Sequence, residues 1–261
     1  MKPITTIISL LLGICLVGYT GLSRAATPYT VEIEPNLIHI GAGYNGARVL
    51  VKGEIPKDTD IVIQVTDAPE DVSLLKKGHV GGVLWMNTVT VTFSDLPKVC
   101  LLYLPKSISV SALDRDVALQ QLNMGFSALE RQTTLMPEEE NKATLFQELV
   151  KLKTHEELYA QVENAISYQD KDGTMKSYTC EIQIPSRIKE GTYTIKACIV
   201  KNKGVLYTDN RQIKIAETGF PELISRLAFQ HGTLYGVLAT VIALIAGLLI
   251  GFIFKGGSGG H

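Results

Sequence analysis

The run from Thr233 to Phe254 carries no charge over 22 residues, and it constrains this chain more than any other feature. At ~1.5 Å per residue, a helix of that length spans the ~30 Å hydrocarbon core of a bilayer. In lipid, a single segment satisfies all its backbone polar groups only as a helix. The rest of the chain must therefore fold on one side of a membrane and leave it through that helix. Lys255 follows directly, a cation on what the positive-inside rule makes the cytoplasmic side. The ending "GGSGGH", residues 256–261, reads as a flexible tail.

Residues 1–25 read as a secretory leader. Lys2 precedes an uncharged run from Pro3 to Ser23, and Ser23 and Ala25 supply the small residues of a cleavage site. An uncleaved anchor is the alternative, because the run is long for a leader. Ile14 stands where lipidation of Cys15 needs a small residue, which excludes a lipoprotein. The leader removes Lys2 and Arg24 and no acid, leaving 23 cations against 26 anions. That balance argues against nucleic acid as a partner. Three cysteines then remain, Cys100, Cys180 and Cys198. Strand parity puts Cys180 inward with Tyr178, Ile182 and Ile184. It puts Cys198 outward, opposite Tyr193, Ile195, Ala197 and Ile199. A bridge between those two is not expected, while three separate thiols or another pairing stay open.

Short alternating runs fill residues 29–107. "YTVEIEP", "LIHI", "ARVLVKGEIP", "DIVIQV", "GGVLWMNTVTVTF" and "VCLLYLP" are separated by Pro, Gly and Asp turns. Such spacing predicts an antiparallel sandwich. The period then changes. Leu113, Val117, Leu119 and Leu122 share a helical stripe, with stop signals at Asn123 and Gly125. Pro137 and the three glutamates after it open another helix carrying Leu145, Leu149 and Leu152. "THEE", residues 154–157, reads as a capping box that restarts the helix through Leu158, Val162 and Ile166. Strands resume after "DKDG", and Tyr193 in "GTYT" fits a tyrosine corner, its hydroxyl bonding a backbone group upstream. "KNKG" makes a hairpin turn, and Pro221 opens a short amphipathic helix before the span.

Several motifs invite chemistry. Gly41-x-Gly43-x-x-Gly46 has dinucleotide-site spacing, but β-alternating "ARVLV" follows it where a helix N terminus is needed. The glycines are read as a bend between strands, with no nucleotide and no cofactor. His155-Glu156-x-x-Tyr159 lacks a second zinc ligand, and Asp170-x-Asp172-Gly173 has Ile182 where a calcium loop needs its bidentate Glu. No metal is expected. No Ser–His or Cys–His arrangement supports nucleophilic catalysis, so the chain is read as non-enzymatic. "LLKKGHVGGVLWMN" gathers Lys76, Lys77 and His79 just before Trp85, the only tryptophan, and Asn87. These five residues form a candidate docking edge or anion site; the plainer reading is a solvated loop followed by a core tryptophan. In the span, Gly236, Ala243, Gly247 and Gly251 give a small-residue stripe suited to helix–helix packing. Its partner is a polytopic permease or a second copy of this chain.

The order of "VEIEPNLIHI", "VLVKGEI", "GGVLWMN", "IPSRIKEGTYTIKACIVKNKGV" and "GFPELISRLAFQHGTLYGVLA" resembles the uncharacterised bacterial transmembrane protein family of the Alph_Pro_TM type. The resemblance covers nearly the whole mature chain and brings no activity with it. It implies, by gene neighbourhood alone, an accessory role to a sulfite-exporter-like permease.

The expected protein is mainly β: an immunoglobulin-like antiparallel sandwich with a helical insertion, then one C-terminal transmembrane helix. The leader takes residues 1–25, the sandwich 26–109 and 174–218, and the insertion 110–173. A juxtamembrane helix over 219–231, the span over 232–255 and the tail 256–261 complete the chain. The expected location is the bacterial inner membrane, with the N-terminal domain periplasmic and the C-terminus cytoplasmic. The expected role is a permease accessory subunit, with sulfur oxyanions or organosulfonates as candidate solutes. The alternative is an anchored binding or adhesion module that works without a permease.

Overall fold

Thirteen strands and six helices follow in chain order among the described residues. The computed structural model describes residues 29–80, 84–138, 140–171 and 173–255. The expected leader and tail lie outside that range. Strand outweighs helix, 44 % against 29 %, which makes the chain mainly β.

The first three strands are Glu32–Glu34 (β1), Leu37–Ile40 (β2) and Ala47–Pro56 (β3). Along β3, Val49, Val51 and Ile55 are fully buried while Arg48 is exposed, the period of a strand with one wet face. β3 pairs on one side with β1 and on the other with Met175–Ile184 (β11), which pairs in turn with Ile166–Asp170 (β10). Gly53 is required in β3. A Cβ there would lie 1.9 Å from the carbonyl oxygen of Thr30, the same oxygen that accepts the Tyr178 hydroxyl at 3.0 Å.

The second sheet runs β2, Gly204–Glu217 (β13), Gly191–Lys201 (β12), Asp60–Thr66 (β4), Cys100–Tyr103 (β7) and Tyr159–Val162 (β9). β2 lies parallel to β13, and β9 parallel to β7. Asn202 and Lys203, both with positive φ, close the β12–β13 hairpin at the expected "KNKG". The two sheets share one core. Val49, Val51, Cys180 and Ile182 of the first meet Ile61, Ile63, Ile195 and Ile213 of the second.

Short helices at Val110–Arg115 (α1), Val117–Gln120 (α2) and Phe126–Gln132 (α3) follow β7, and Lys142–His155 (α4) comes after them. They replace the single expected stripe over 110–132. Leu113, Leu119 and Leu122 are buried, but Val117 is 75 % exposed because Asp116 ends α1 and caps α2. α4 begins at Lys142 and not at Pro137, since Asn141 is its N-cap and accepts from the Thr144 N–H at 3.1 Å.

The expected restart at 154–157 is a helix end. The Glu156 N–H bonds back to the Leu152 and Thr154 carbonyls, and Glu157 turns to φ 63°. Leu158, Val162 and Ile166 therefore do not line a helix. The chain instead supplies β9 and β10 as the edges of the two sheets, so the insertion over 110–173 is helical only in part. Tyr159 explains the outcome: it is fully buried, and its hydroxyl donates to the Pro97 carbonyl at 2.6 Å. A helix through this segment would forfeit both.

Cys198 corrects the parity reading. It does face away from the shared core, yet it is 1 % exposed. It lies in a second core of Val62, Leu102, Leu104, Leu113, Leu122 and Met124. The helices after β7 cover what the strand pattern marks as an outer face. All three thiols are buried and unbridged.

Glu70–Val80 (β5), Leu84–Leu96 (β6) and Thr134–Met136 (β8) form a third sheet in the order β5, β6, β8. Its base packs on α3 and α4 through Phe93, Leu129, Phe146 and Leu149, with Phe93 and Phe146 edge to face at 6.0 Å. The last described elements are Phe220–Gln230 (α5) and Gly232–Lys255 (α6).

Candidate functional site

The basic segment is neither a loop nor the start of a sandwich strand. Lys76 and Lys77 lie in β5, which forms a long antiparallel hairpin with β6. The hairpin's base is apolar: Val72 pairs with Phe93 and Leu74 with Val91. Further out the register shifts. Lys76 faces Val89 and Lys77 faces Asn87, so Thr88 is the extra residue of a bulge, its hydroxyl donating to the Lys76 carbonyl at 3.1 Å. Gly78 fits there because a Cβ would lie 2.8 Å from Cγ2 of Thr88.

The bulge separates the two lysines. Lys76 Nζ pairs with Glu140 Oε2 at 2.6 Å, which ties the arm to the segment before α4. Lys77 is exposed and has no ion-pair partner among the described residues. Asn87 is exposed opposite it, and His79 pairs with Trp85 in the backbone register. The side chains of His79 and Trp85 lie outside the described structure. The five predicted residues thus occupy one hairpin, with Lys76 neutralised and Lys77 open to a partner. Leu75 at 61 % and Met86 at 52 % exposure add apolar surface to the arm.

The second candidate is α6. Its apolar stretch, Gly232–Ile253, has a mean hydropathy of 2.7, and none of it is buried against the body. Gly236, Ala243, Gly247 and Gly251 fall on one side of a helix with 3.6 residues per turn. Nothing lies within 4 Å of a Cβ placed on Gly236, Gly247 or Gly251, so another helix has room for close approach there.

Tyr193 opens β12, and its hydroxyl donates to the Lys189 carbonyl at 3.0 Å, holding the corner that leads into the strand. Burial pushes its pKa up to about 12. The glycine motif forms a turn, with the Tyr44 N–H donating to the Gly41 carbonyl at 3.0 Å. Gly46 takes φ 92°, and Ala47 begins β3, so a strand and not a helix follows these glycines.

One feature has no sequence signal. An open cleft of about 900 Å³ lies beside β9, lined by Arg48, Tyr103, Glu157, Tyr159, Gln161 and Gln183 among others. Arg48 pairs with Glu181 at 3.1 Å across its wall, and the Tyr103 hydroxyl accepts the Gln183 N–H at 3.0 Å. These residues come from separate strands and loops, so no local spacing announces them. Burial pushes the Cys100 and Cys180 thiols up to about 12, away from the thiolate form that is the nucleophile.

The family model described as "Putative transmembrane protein (Alph_Pro_TM)" matches residues 29–256. No curated protein and no solved structure matches the chain.

Proposed function

The chain belongs to this family of transmembrane proteins, and from that premise we propose that it is a non-enzymatic accessory subunit of a polytopic permease. The observation that carries the reading is the open small-residue stripe of α6, a surface for close helix packing on the one candidate span among the described residues. The body is periplasmic in this reading and α6 crosses the inner membrane. Lys77, Asn87 and the hairpin register of His79 and Trp85 form the arm that reaches the permease mouth. Sulfur oxyanions and organosulfonates are the candidate solutes.

We read the body as immunoglobulin-like. The sheet order β1-β3-β11-β10 against β13-β12-β4 supports this, since it corresponds to strands A-B-E-D against G-F-C. The Tyr193 hydroxyl bond at the start of the sixth core strand supports it too.

Extraction in mild detergent tests the role. The chain should co-purify with a permease, and Gly247→Leu with Gly251→Leu should abolish that recovery. Recovery of only a monomer or homodimer from the unaltered chain would sink the proposal. The cleft beside β9 favours the other reading, a membrane-anchored binding module. In that case the double substitution leaves function intact.

A further inference from the structure

We propose that α5 is an interfacial helix that lies in the headgroup layer of the bilayer entered by α6, with Leu223, Ile224 and Leu227 set into lipid. The inference rests on α6 residing in lipid and is independent of any permease.

Position is the first argument. Only His231 separates α5 from α6. The His231 N–H bonds to the Leu227 carbonyl at 3.1 Å, and the Tyr235 N–H bonds to the His231 carbonyl at 3.0 Å, so the junction has no slack. The 11 residues of α5 extend ~17 Å at ~1.5 Å each, which keeps the whole helix near the membrane surface if it lies along it. The other end is anchored as well. The Thr218 N–H donates to the Ile40 carbonyl at 2.8 Å, and Gly219, at φ 72°, turns the chain into the helix.

The orientation of its faces is the second argument. A cleft of about 600 Å³ separates α5 from the adjoining ends of β12 and β13, and Glu222, Ser225 and Arg226 line its helix side. The polar side thus faces the body. At 100° per residue, Leu223, Ile224 and Leu227 project from the opposite side, where Leu223 is 55 % exposed and Ile224 and Leu227 are half-buried. Phe229, 88 % exposed, stands at the mouth of that cleft in the last turn before the span. In water Leu223, Ile224 and Leu227 would form an unfavourable apolar strip, whereas the acyl boundary accommodates it.

Charge settles the kind of attraction. Glu222 and Arg226 pair one turn apart, so α5 carries no net charge. Burial of apolar area, not attraction to anionic lipid, then holds it. Anchored at both ends, α5 sets the height and tilt of the body above the membrane.

The test uses the full chain, with Trp85→Phe to remove the native tryptophan, reconstituted in phosphatidylcholine vesicles. Leu223→Trp and Arg226→Trp are compared with brominated lipid and with acrylamide as quenchers; both positions are exposed, so an indole fits at either. The Leu223→Trp chain should lose most of its emission to brominated lipid and little to acrylamide. The Arg226→Trp chain should do the reverse, and adding anionic lipid should leave the Leu223→Trp chain, which keeps the Glu222–Arg226 pair, unchanged. Equal quenching of both chains by acrylamide would place α5 in water and overturn the proposal. A Leu223→Trp chain quenched by neither agent would mean protein covers that face, as in a homodimer, and would overturn it equally.

Discussion

From Tyr178 to Ile184, β11 alternates buried and exposed residues, whereas β4 buries five in a row from Ile61 to Val65. Both are inner strands of their sheets and both supply the shared core. They differ in what covers the far face. Beyond β11 there is water at Thr179, Glu181 and Gln183. Beyond β4 lie Leu113, Leu119, Leu122 and Met124, which with Val62, Leu102 and Cys198 form a core of their own. Even Gln64, 6 % exposed, is accommodated there, its Oε1 accepting the Gly125 N–H at 3.1 Å. A polar side chain survives such burial when it is hydrogen-bonded.

Substitutions on the two sheets can break this contrast. Ile63→Ala, in the shared core, should cost about 2–5 kcal/mol in denaturant unfolding. Val62→Ala, on the covered outer face of the same strand, should cost about 2 kcal/mol. Thr179→Ala, on the wet face of β11, should stay within about 0.5 kcal/mol of the parent. If Val62→Ala behaved like Thr179→Ala, the helical cover would be no second core.

Thiol reactivity sharpens the same point. Cys180 faces the shared core and Cys198 the second one, and burial raises both thiols above their ordinary pKa. An alkylating reagent at mildly alkaline pH should label neither until denaturant is added. Labelling of Cys198 ahead of Cys180 in the native protein would reopen the outer face.

Smaller effects follow at the strand ends. Tyr193→Phe removes the hydroxyl that bonds the Lys189 carbonyl and should cost about 1 kcal/mol by thermal or denaturant melting. Asp67, where β4 leaves its cover, accepts the Val99 N–H at 3.1 Å. Burial raises its carboxyl pKa, so the native state holds that proton more tightly than the unfolded chain does. Stability from this group is therefore highest at acid pH and falls as pH rises through the ordinary carboxylate value to the raised one. Asp67→Asn keeps an acceptor for Val99 and removes the charge. It should melt slightly higher than the parent at neutral pH, with the difference vanishing at acid pH.

Much of the body is legible in local pattern. β3 announces itself by Val49, Val51 and Ile55, the β12–β13 turn by "KNKG", and α5 by Gly219 and Pro221. The Lys76–Asn87 hairpin is less so, because its pairing with β8 and its ion pair to Glu140 join residues distant in the chain, 64 positions apart for Lys76 and Glu140. The segment 154–170 misleads outright. Leu158, Val162 and Ile166 have helical spacing, yet edge positions in two separate sheets outweigh a continued helix.

The order of polar and apolar residues by itself determined that this chain is mainly β, where most strands run, and that one helix is long and apolar enough to span a bilayer. Those properties follow from local period and summed hydropathy. Only the tertiary structure decided that the far face of β4 and β12 is covered, that Cys198 is buried, and that Lys76 is neutralised by Glu140. Alternation along a strand distinguishes its two faces, but what comes to lie on each depends on segments distant in the chain.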